Sequence, residues 1–303
     1  MKRFSFIVNP IAGNGRSAGI VRFIEAELQR REIPFEVLVT TRAGEAVDLA
    51  RSANADTVVA VGGDGTVNEV VNGLPHGKTL GIIPTGSGND LIKSLAIPKR
   101  PKDAFFSLLK QKTTEIDLGT VRCSGSETSG VGSEPTKRMF TNGVGVGFDA
   151  SVAIRKGEIP FLRGTPVYIV AVLQTLLRYR APVFSFSTNG VPPRDKKLLL
   201  AAIGNGRCAG GGFYLTPNAD PGDGAFDVTL VDDVSVWKIL RLMPLVMRGK
   251  HMGNSAVSSL RTTHMTLQST TPFNVHADGE IVGRSVRNVE IQLTSEKLPV
   301  VCG

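Results

Sequence analysis

The chain has 303 residues, 41% of them hydrophobic and 20% charged, and its formal net charge is +8. These values fit a globular protein of about two domains and exclude disordered, collagen-like and disulfide-scaffold classes. The basic excess favours anionic partners such as phosphates or acidic lipid surfaces.

Targeting signals and membrane spans are not indicated by the sequence. The apolar run after Lys2 and Arg3 stops at Asn9-Pro10, which is too short for a secretory core. The longest apolar stretch, Val167–Leu177, contains a glutamine and has 11 residues, whereas a spanning helix needs about 20. Three distant cysteines without CxxC spacing indicate neither disulfides nor zinc. We therefore expect a reducing, cytoplasmic location.

Strand and helix patterns alternate through the first 120 residues. Apolar runs predict strands at Phe4–Val8, Phe35–Thr40, Thr57–Val61 and Leu80–Ile83. Apolar residues at helical spacing predict helices within Ile20–Leu28, over Glu45–Ser52, and after the third and fourth strands. This alternation predicts an α/β, doubly wound nucleotide-binding domain with a parallel sheet over residues 1–120. Ligands of such sheets bind at the carboxyl ends of the strands.

The composition changes near residue 121. Cys123–Lys137 is rich in Ser, Gly and Glu and predicts an exposed loop. Strand-like runs then occupy Arg138–Val146, Pro182–Thr188, Leu198–Gly204, Ala225–Val231, Met265–Ser269 and Val286–Leu293. Helical patterns cover Thr165–Tyr179 and Val234–Arg248. We expect a mainly antiparallel β-sandwich domain over residues 121–289.

Glycine-rich turns follow three predicted strands of the first domain, at Asn9–Gly15, Gly62–Thr66 and Pro84–Asp90. Their backbone N–H groups and the helices that follow suit an anion such as a phosphate. Asp64 suits either a Mg²⁺ contact or a helix cap, and Asn89 or Asp90 also suits a cap. The turns together predict a nucleotide site, although the GxxxxGK[ST] pattern is absent.

Three segments of the second domain carry candidate chemistry. Glycines flank Arg207 in a basic loop, and Asn218–Gly224 holds Asp220 and Asp223 in a turn that also suits a divalent ion. Glu280 suits a general base, although His276–Glu280 also reads as a hairpin turn. Mild basic clusters indicate a solvated surface or an anionic membrane face. Aromatic residues do not interleave with them, so we expect no nucleic-acid partner.

Five motifs resemble the diacylglycerol kinase catalytic domain family, in its bacterial lipid-kinase branch, which is similar to sphingosine and ceramide kinases. They are NPxxGxG at 9–15, GGDGTVNEVVNG at 62–73, PTGSGNDLIKSL at 84–95, GNGRCAGGGFYLTPNADPGDG at 204–224 and ADGE at 277–280. GGDGT alone also occurs in NAD kinases and phosphofructokinases. The combination with GNDL and GNGRxxGGG is specific, and the resemblance spans essentially the whole chain.

The resemblance implies ATP- and Mg²⁺-dependent phosphorylation of a lipid hydroxyl, with diacylglycerol as the expected acceptor and phosphatidic acid as the product. It implies an active site in an interdomain cleft and a C-terminal strand, 290–303, that joins the first domain. The implied ATP-site residues are Asn9, Thr40, Gly62, Gly63, Asp64, Gly65, Thr66, Val67, Asn68, Glu69 and Ser87. The implied catalytic residues are the base Glu280, with Asp278 and Asp64. The implied Mg²⁺ loop uses the Asp223 side chain, with Asp220 and Ala225 contributing backbone carbonyls.

Two other functions share some of these motifs. An NAD kinase would use GGDGT to phosphorylate a ribose hydroxyl, but the GNGRCAGGG segment has no evident purpose there. A nucleotide- or lipid-sensing module without turnover would not need Glu280, Asp64 and Asp223. We therefore expect a cytoplasmic, peripherally membrane-associated lipid kinase whose partners are ATP and a lipid at an anionic membrane surface. A homo-oligomer is compatible with the sequence.

Overall fold

The structure, a computed structural model, describes residues 4–125, 136–159 and 165–302. The chain divides into two compact units. Unit 1 comprises the residues up to Asp117 together with those from Glu296 onwards, and unit 2 comprises Leu118–Ser295. Each unit has its own hydrophobic core.

Unit 1 is a parallel sheet with helices between successive strands. Its elements are β1 (Phe4–Val8), α1 (Arg16–Arg30), β2 (Phe35–Val39), α2 (Glu45–Ser52), β3 (Thr57–Gly62), α3 (Asp64–Gly73), β4 (Thr79–Pro84), α4 (Leu91–Ser94) and α5 (Pro101–Leu109). The strand order is β4-β3-β1-β2, with Val8 opposite Val39 and Val61. The carboxyl ends of these strands therefore meet at one edge, which is where ligands of such sheets bind.

Unit 2 is built mainly from antiparallel strands. Its elements are β5 (Thr113–Ser124), β6 (Thr136–Phe140), β7 (Gly143–Gly147), α6 (Phe148–Gly157), α7 (Thr165–Leu176), β8 (Val183–Thr188), β9 (Arg194–Gly204), β10 (Phe226–Asp232), α8 (Val236–Val246), β11 (Val257–Thr262), β12 (His264–Ala277) and β13 (Glu280–Val301). Strands pair in the order β11-β10-β9-β7-β12-β13, and β8 bridges β9 and β12. The α/β domain followed by an antiparallel β-sandwich domain confirms the predicted fold class.

Strands β5 and β13 both begin in one unit and end in the other. The last residues of β13 belong to unit 1, where Val300 pairs with Leu80 of β4 in parallel. Leu298, Val300 and Val301 are buried there. The C-terminal strand thus contributes to the sheet of the first unit.

The central strand β9 explains why its sequence reads as a continuous apolar run. Ala201 and Ile203 enter the sandwich core, which also holds the aromatic pair Phe140 and Phe226. Leu200 and Ala202 instead belong to a second cluster, packed against the helices of unit 2. Because successive side chains of a strand point to opposite faces, a strand buried on both faces shows no alternation.

Several strands, helices and loops of the structure differ from those that the sequence predicts. The predicted strand Arg138–Val146 is two strands, β6 and β7, interrupted at Thr141-Asn142. Helix α6 and strand β5 were not predicted, because their apolar residues are interspersed with polar ones. The predicted loop at Cys123–Lys137 is wrong at its ends, since Cys123 is buried in β5 and Lys137 lies in β6. Residues 126–135 of that loop lie outside the described residues.

Within the described parts of the chain, none of the helices combines the length and the apolar character that crossing a bilayer requires.

Candidate active site

The three glycine-rich turns of unit 1 touch one another through their backbones. A Cβ atom at Gly13, whose φ is +60°, would overlap the carbonyl oxygen of Thr85. A Cβ at Gly86 would lie 2.5 Å from the Cα of Gly63. Glycine is therefore required at these positions by the close approach of neighbouring chains. The arrangement gathers the three glycine-rich turns at one sheet edge, and turns of this kind suit a phosphate group.

Asp64 links the second and third turns. Its two carboxylate oxygens accept hydrogen bonds from the backbone N–H groups of Asn89, at 2.7 Å, and Asp90, at 2.6 Å. Asp64 does not cap its own helix, because it is the first residue of α3 and follows the N-cap Gly63. The alternative interpretation of Asp64 as a cap of that helix is therefore wrong. Its local role is to hold the two turns together.

Other expected nucleotide-site residues lie around the same edge. The Asn9 side-chain amide donates to the Thr66 hydroxyl at 3.2 Å, and the Thr40 hydroxyl donates to the carbonyl of Val8 at 3.3 Å. Ser87 is exposed at the tip of the third turn. These contacts bring Asn9, Thr40 and Thr66 to the carboxyl ends of β1, β2 and β3.

Three residues of α3 that the resemblance assigns to the ATP site are buried or hydrogen-bonded within the protein. Val67 and Asn68 are buried in the helix, and Asn68 accepts a hydrogen bond from Asn72 at 3.3 Å. The Glu69 carboxylate accepts the N–H groups of Gly44, at 3.0 Å, and Ala46, at 3.2 Å. Glu69 therefore binds the amino end of α2, where a negative charge is favourable. Any nucleotide contact of these three residues stays a prediction.

In unit 2, Asp278 fixes the turn that carries Glu280. Its carboxylate accepts the N–H groups of Thr141, Asn142 and Gly143 at 2.9–3.0 Å, as well as the Thr141 hydroxyl at 3.3 Å. The Asp278 N–H in turn donates to the carbonyl of Gly143 at 2.8 Å. Hydrogen bonds to a charged group contribute about 1.5–3 kcal/mol each. Asp278 is thus a positioning residue, and the break between β6 and β7 supplies its donors.

Glu280 begins β13 and is exposed. Among the residues that the structure describes, no donor is bound to its carboxylate. A carboxylate that is exposed and free of protein donors can accept a proton from a substrate hydroxyl. The turn therefore separates two roles. The Asp278 carboxylate binds the backbone of residues 141–143, and the Glu280 carboxylate stays available to accept a proton.

A buried histidine connects this turn to α6. The His276 ring donates from Nε2 to the Asp149 carboxylate at 2.9 Å, and its Nδ1 accepts the N–H of Gly279 at 3.3 Å. Burial acts to lower the pKa of His276, but Asp149, with smaller contributions from Asp278 and Glu280, raises it above the usual value. The Asp149 carboxylate therefore favours the protonated form of His276 directly behind the turn, whereas the neutral form is the one whose Nδ1 accepts the Gly279 N–H.

The Asn218–Gly224 segment forms a turn stabilised by its own carboxylates. Asp220 accepts the N–H of Gly222 at 3.1 Å, and Asp223 accepts the N–H of Ala225 at 3.2 Å. Asp223 also forms an ion pair with Arg261. Over the described residues, no group of three or more His, Cys, Asp or Glu side chains could hold a metal ion.

The donor set of this turn does not fit a resident Mg²⁺ as it stands. Arg261 supplies the positive charge that an ion would provide, and its Nε also lies 3.7 Å from Asp227. Burial raises the pKa of Asp227, with Arg261 opposing the effect and Asp223 adding to it. The Mg²⁺-loop role of Asp220, Asp223 and Ala225 stays a prediction.

An apolar cavity of about 90 Å³ lies in unit 2, among α6, α7, α8 and strands β9 and β10. Aliphatic and aromatic side chains make up most of its wall, including Val152, Val172 and Leu242. Asp149 is one of its few polar lining residues, so the cavity wall includes the partner of His276. Such a cavity suits the apolar part of a ligand.

Sequence reasoning missed several of these groups. Asp149 gives no motif signal, and the sequence offers His276 only as the start of the His276–Glu280 turn. Asn205 lies in the glycine-rich loop beside Arg207, and its side-chain amide donates to the Thr141 carbonyl at 2.8 Å. The GNG motif therefore supports the same β6–β7 connection that binds Asp278. A histidine two positions before the DGE motif is the one signal that the sequence offers.

Comparison with known proteins agrees with this geometry. Residues 3–121 match the "Diacylglycerol kinase catalytic domain" family, and residues 142–301 match the "YegS C-terminal NAD kinase beta sandwich-like domain" family. A Mycobacterium tuberculosis protein named "Diacylglycerol kinase" is 32% identical over 281 residues, covering 90% of this chain and 87% of the relative. The chain belongs to the diacylglycerol kinase and YegS-like family of lipid kinases. A Xanthomonas oryzae relative named "Probable lipid kinase YegS-like" is 29% identical over 288 residues, covering 88% of this chain and 87% of its own.

Solved structures support the fold of this lipid kinase. A diacylglycerol kinase from Bacillus anthracis has a TM-score of 0.71 at 19% identity, covering 100% of this chain and 97% of the other. An NAD kinase from Archaeoglobus fulgidus, solved in complex with ATP, has a TM-score of 0.53 at 15% identity, covering 99% and 93% of the two chains. The likeness to NAD kinase is thus one of fold, whereas the family match is to lipid kinases.

The contact between the glycine turns generates a first prediction. Gly86→Ala places a methyl group against Gly63 and should lower ATP affinity at least ~10-fold, because displaced turns cannot approach a phosphate closely. Titration calorimetry with ATP measures this. Gly19→Ala is the matched control, since its Cβ meets nothing within 4 Å, and it should bind ATP normally. Equal affinity of the two variants would contradict this role of the turns.

The buried His276–Asp149 pair generates a second prediction, on stability. Because the folded-state pKa of His276 is raised, the pair's contribution is fully present below about pH 6.5 and is lost as pH rises through the raised pKa. Asp149→Asn should therefore cost more unfolding free energy at pH 6 than at pH 9, as measured by urea unfolding at both values. A cost independent of pH would show that the pair carries no charge.

Proposed function

We propose that this enzyme transfers the γ-phosphate of ATP to the free hydroxyl of diacylglycerol, producing phosphatidic acid and ADP. The observation that carries the proposal is the apolar cavity of unit 2, whose wall shares Asp149 with the hydrogen-bonded chain leading to the Glu280 turn. An apolar cavity that is linked through Asp149 and His276 to the Glu280 turn suits an acceptor with an apolar segment and one reactive hydroxyl. A ribose hydroxyl on a soluble dinucleotide would not need such a cavity.

Unit 1 would bind ATP, with Mg²⁺ arriving as part of the Mg·ATP substrate. The glycine turns offer backbone amides to the phosphates, and Ser87 offers an exposed hydroxyl at the turn tip. Asp64 would act on ATP binding indirectly, by fixing the third turn through Asn89 and Asp90. Thr40 and Asn9 would shape the same edge.

Unit 2 would supply the general base. The acceptor oxygen attacks the γ-phosphorus, the bond to the β-phosphate oxygen breaks and ADP leaves, while the hydroxyl proton passes to the Glu280 carboxylate. Asp278 and His276 would keep Glu280 in place without touching the reacting atoms. Most of the rate enhancement would come from positioning and charge neutralisation, as is general for phosphoryl transfer.

We also propose that the enzyme acts in the cytoplasm, peripherally at a membrane surface. The reasons are the net charge of +8, which attracts anionic lipid, and an acceptor that resides in bilayers.

The experiment that tests this function is transfer of labelled γ-phosphate from Mg·ATP to acceptors in mixed micelles. The panel holds diacylglycerol, monoacylglycerol, sphingosine, ceramide and phosphatidylglycerol, with NAD as a soluble acceptor. The proposal expects diacylglycerol to be labelled at the highest kcat/KM. Preference for another lipid would replace diacylglycerol but keep lipid kinase chemistry. Label in NAD alone would overturn the proposal.

The role of Glu280 yields a further prediction. Glu280→Gln should lower kcat at least ~100-fold, the usual scale for a general base, and leave ATP affinity unchanged. Glu296→Gln is the matched control, since it removes an exposed carboxylate from the same strand and should keep full activity. Full activity of Glu280→Gln would remove Glu280 as the base.

The acyl-binding role of the cavity yields another prediction. Val172→Phe fills part of the cavity and should raise KM for long-chain diacylglycerol several-fold, on the order of 1 kcal/mol of lost apolar burial. A short-chain diacylglycerol should be affected less. Leu173→Phe changes the neighbouring, exposed residue of α7 and should leave both KM values unchanged. An equal KM for Val172→Phe and Leu173→Phe would place the acyl chains elsewhere.

A further inference from the structure

Helix α7 exposes large apolar side chains along one side. Ile169, Leu173 and Leu177 are 36%, 43% and 79% exposed, and Pro166 is also exposed. Their spacing of three or four residues places the first members on one face of the helix, with Leu177 one residue beyond its end. Single exposed apolar residues are ordinary, but a row of them on one helix face marks an interaction surface.

Helix α8 also exposes large apolar side chains. Trp237 is 76% exposed, and Val236 and Met247 are 40% and 36% exposed at its two ends. Pro244 is exposed between them. Tryptophan is enriched where a protein meets the boundary between water and lipid, because its ring is apolar and its N–H is polar.

The inner sides of these two helices already form the cavity wall. Val172 of α7 and Ile239 and Leu242 of α8 line the cavity and are buried. The exposed apolar residues are therefore not part of the hydrophobic core of unit 2. They lie on the solvent side of the two helices that cover the cavity.

Basic residues lie within or directly after the same two helices. Arg178 and Arg180 follow α7, Arg241 lies within α8, and Arg248 and Lys250 follow it. In the described part of the chain, none of these five forms an ion pair with an acidic side chain. The nearby carboxylates Asp232 and Asp233 are instead paired with Lys196 and Lys197, each at 2.7 Å.

We propose that this face, the solvent side of α7 and α8 with its flanking arginines, docks the enzyme on a bilayer that contains anionic lipid. Apolar side chains enter the interfacial region and the basic groups meet the lipid phosphates, as for other amphipathic interfacial helices. The inference deepens the proposed function, on which its biological purpose rests. It places the cavity on the inner side of the helices that touch the bilayer.

The chain contains a single tryptophan, and Trp237 therefore reports on this face without any label. Its emission is measured on the full-length protein with vesicles of phosphatidylcholine alone and of phosphatidylcholine with phosphatidylglycerol. Anionic vesicles should shift the emission to the blue, and phospholipids brominated in their acyl chains should quench it. Raising the salt concentration should weaken binding, because it screens the arginines.

Two variants keep Trp237 and alter its surroundings. Arg178→Glu with Arg241→Glu should weaken partitioning into anionic vesicles at least ~10-fold. Leu173→Ser with Leu177→Ser should reduce both the blue shift and the quenching. The matched controls are Lys99→Glu with Arg100→Glu, which is the same charge change in unit 1, and Val191→Ser, an exposed apolar residue in unit 2. Both controls should bind vesicles normally.

Other outcomes would overturn the inference. One is vesicle binding without quenching of Trp237, and another is equal loss of binding in the variants and their controls. A blue shift that appears without vesicles as the protein concentration rises would instead show that a second copy covers the face. Activity towards diacylglycerol in detergent micelles separates the two proposals, because the docking variants should keep it while losing vesicle binding.

Discussion

The structure depends on carboxylates that accept backbone N–H groups from chain segments held in tight turns. Asp64 binds the amides of Asn89 and Asp90 in unit 1. Asp278 binds three consecutive amides, from Thr141 to Gly143, in unit 2. Tight turns leave N–H groups without partners in a helix or sheet, and a nearby carboxylate satisfies two or three of them at once. Each unit therefore fixes its functional turn with one aspartate.

This use of aspartate decides which acidic groups remain for chemistry. The Asp278 carboxylate is committed to four donors, and Asp223 is paired with Arg261. Glu280, two residues after Asp278, keeps a carboxylate without a described protein donor. His276 supports the same turn from behind through Gly279, and Asp149 orients His276. The motif DGE thus combines a residue that positions and a residue that can react, and a change in either should lower the rate for different reasons.

The sequence was informative where local patterns and the fold agree. Helix α2 was predicted at its observed bounds, and the glycine turns were predicted to share one edge, because parallel strands order their ends in that way. Long-range partners were not predictable. Asp149 and His276 are 127 positions apart, and Asp278 and Thr141 are 137 apart, so no spacing rule links them. The motif assigns Glu69 to the nucleotide, but Glu69 also accepts the N–H of Ala46 in α2, which only the fold brings close.

Asp278 positions the Glu280 turn. Amide hydrogen exchange combined with turnover in Asp278→Asn tests this role. The substituted amide keeps the size of the side chain but can no longer accept all of the Thr141, Asn142 and Gly143 N–H groups. We predict faster exchange confined to residues 141–143 and 276–280, a reduced kcat and an unchanged affinity for ATP. Unchanged exchange at residues 141–143, or full turnover in spite of faster exchange there, would contradict the account.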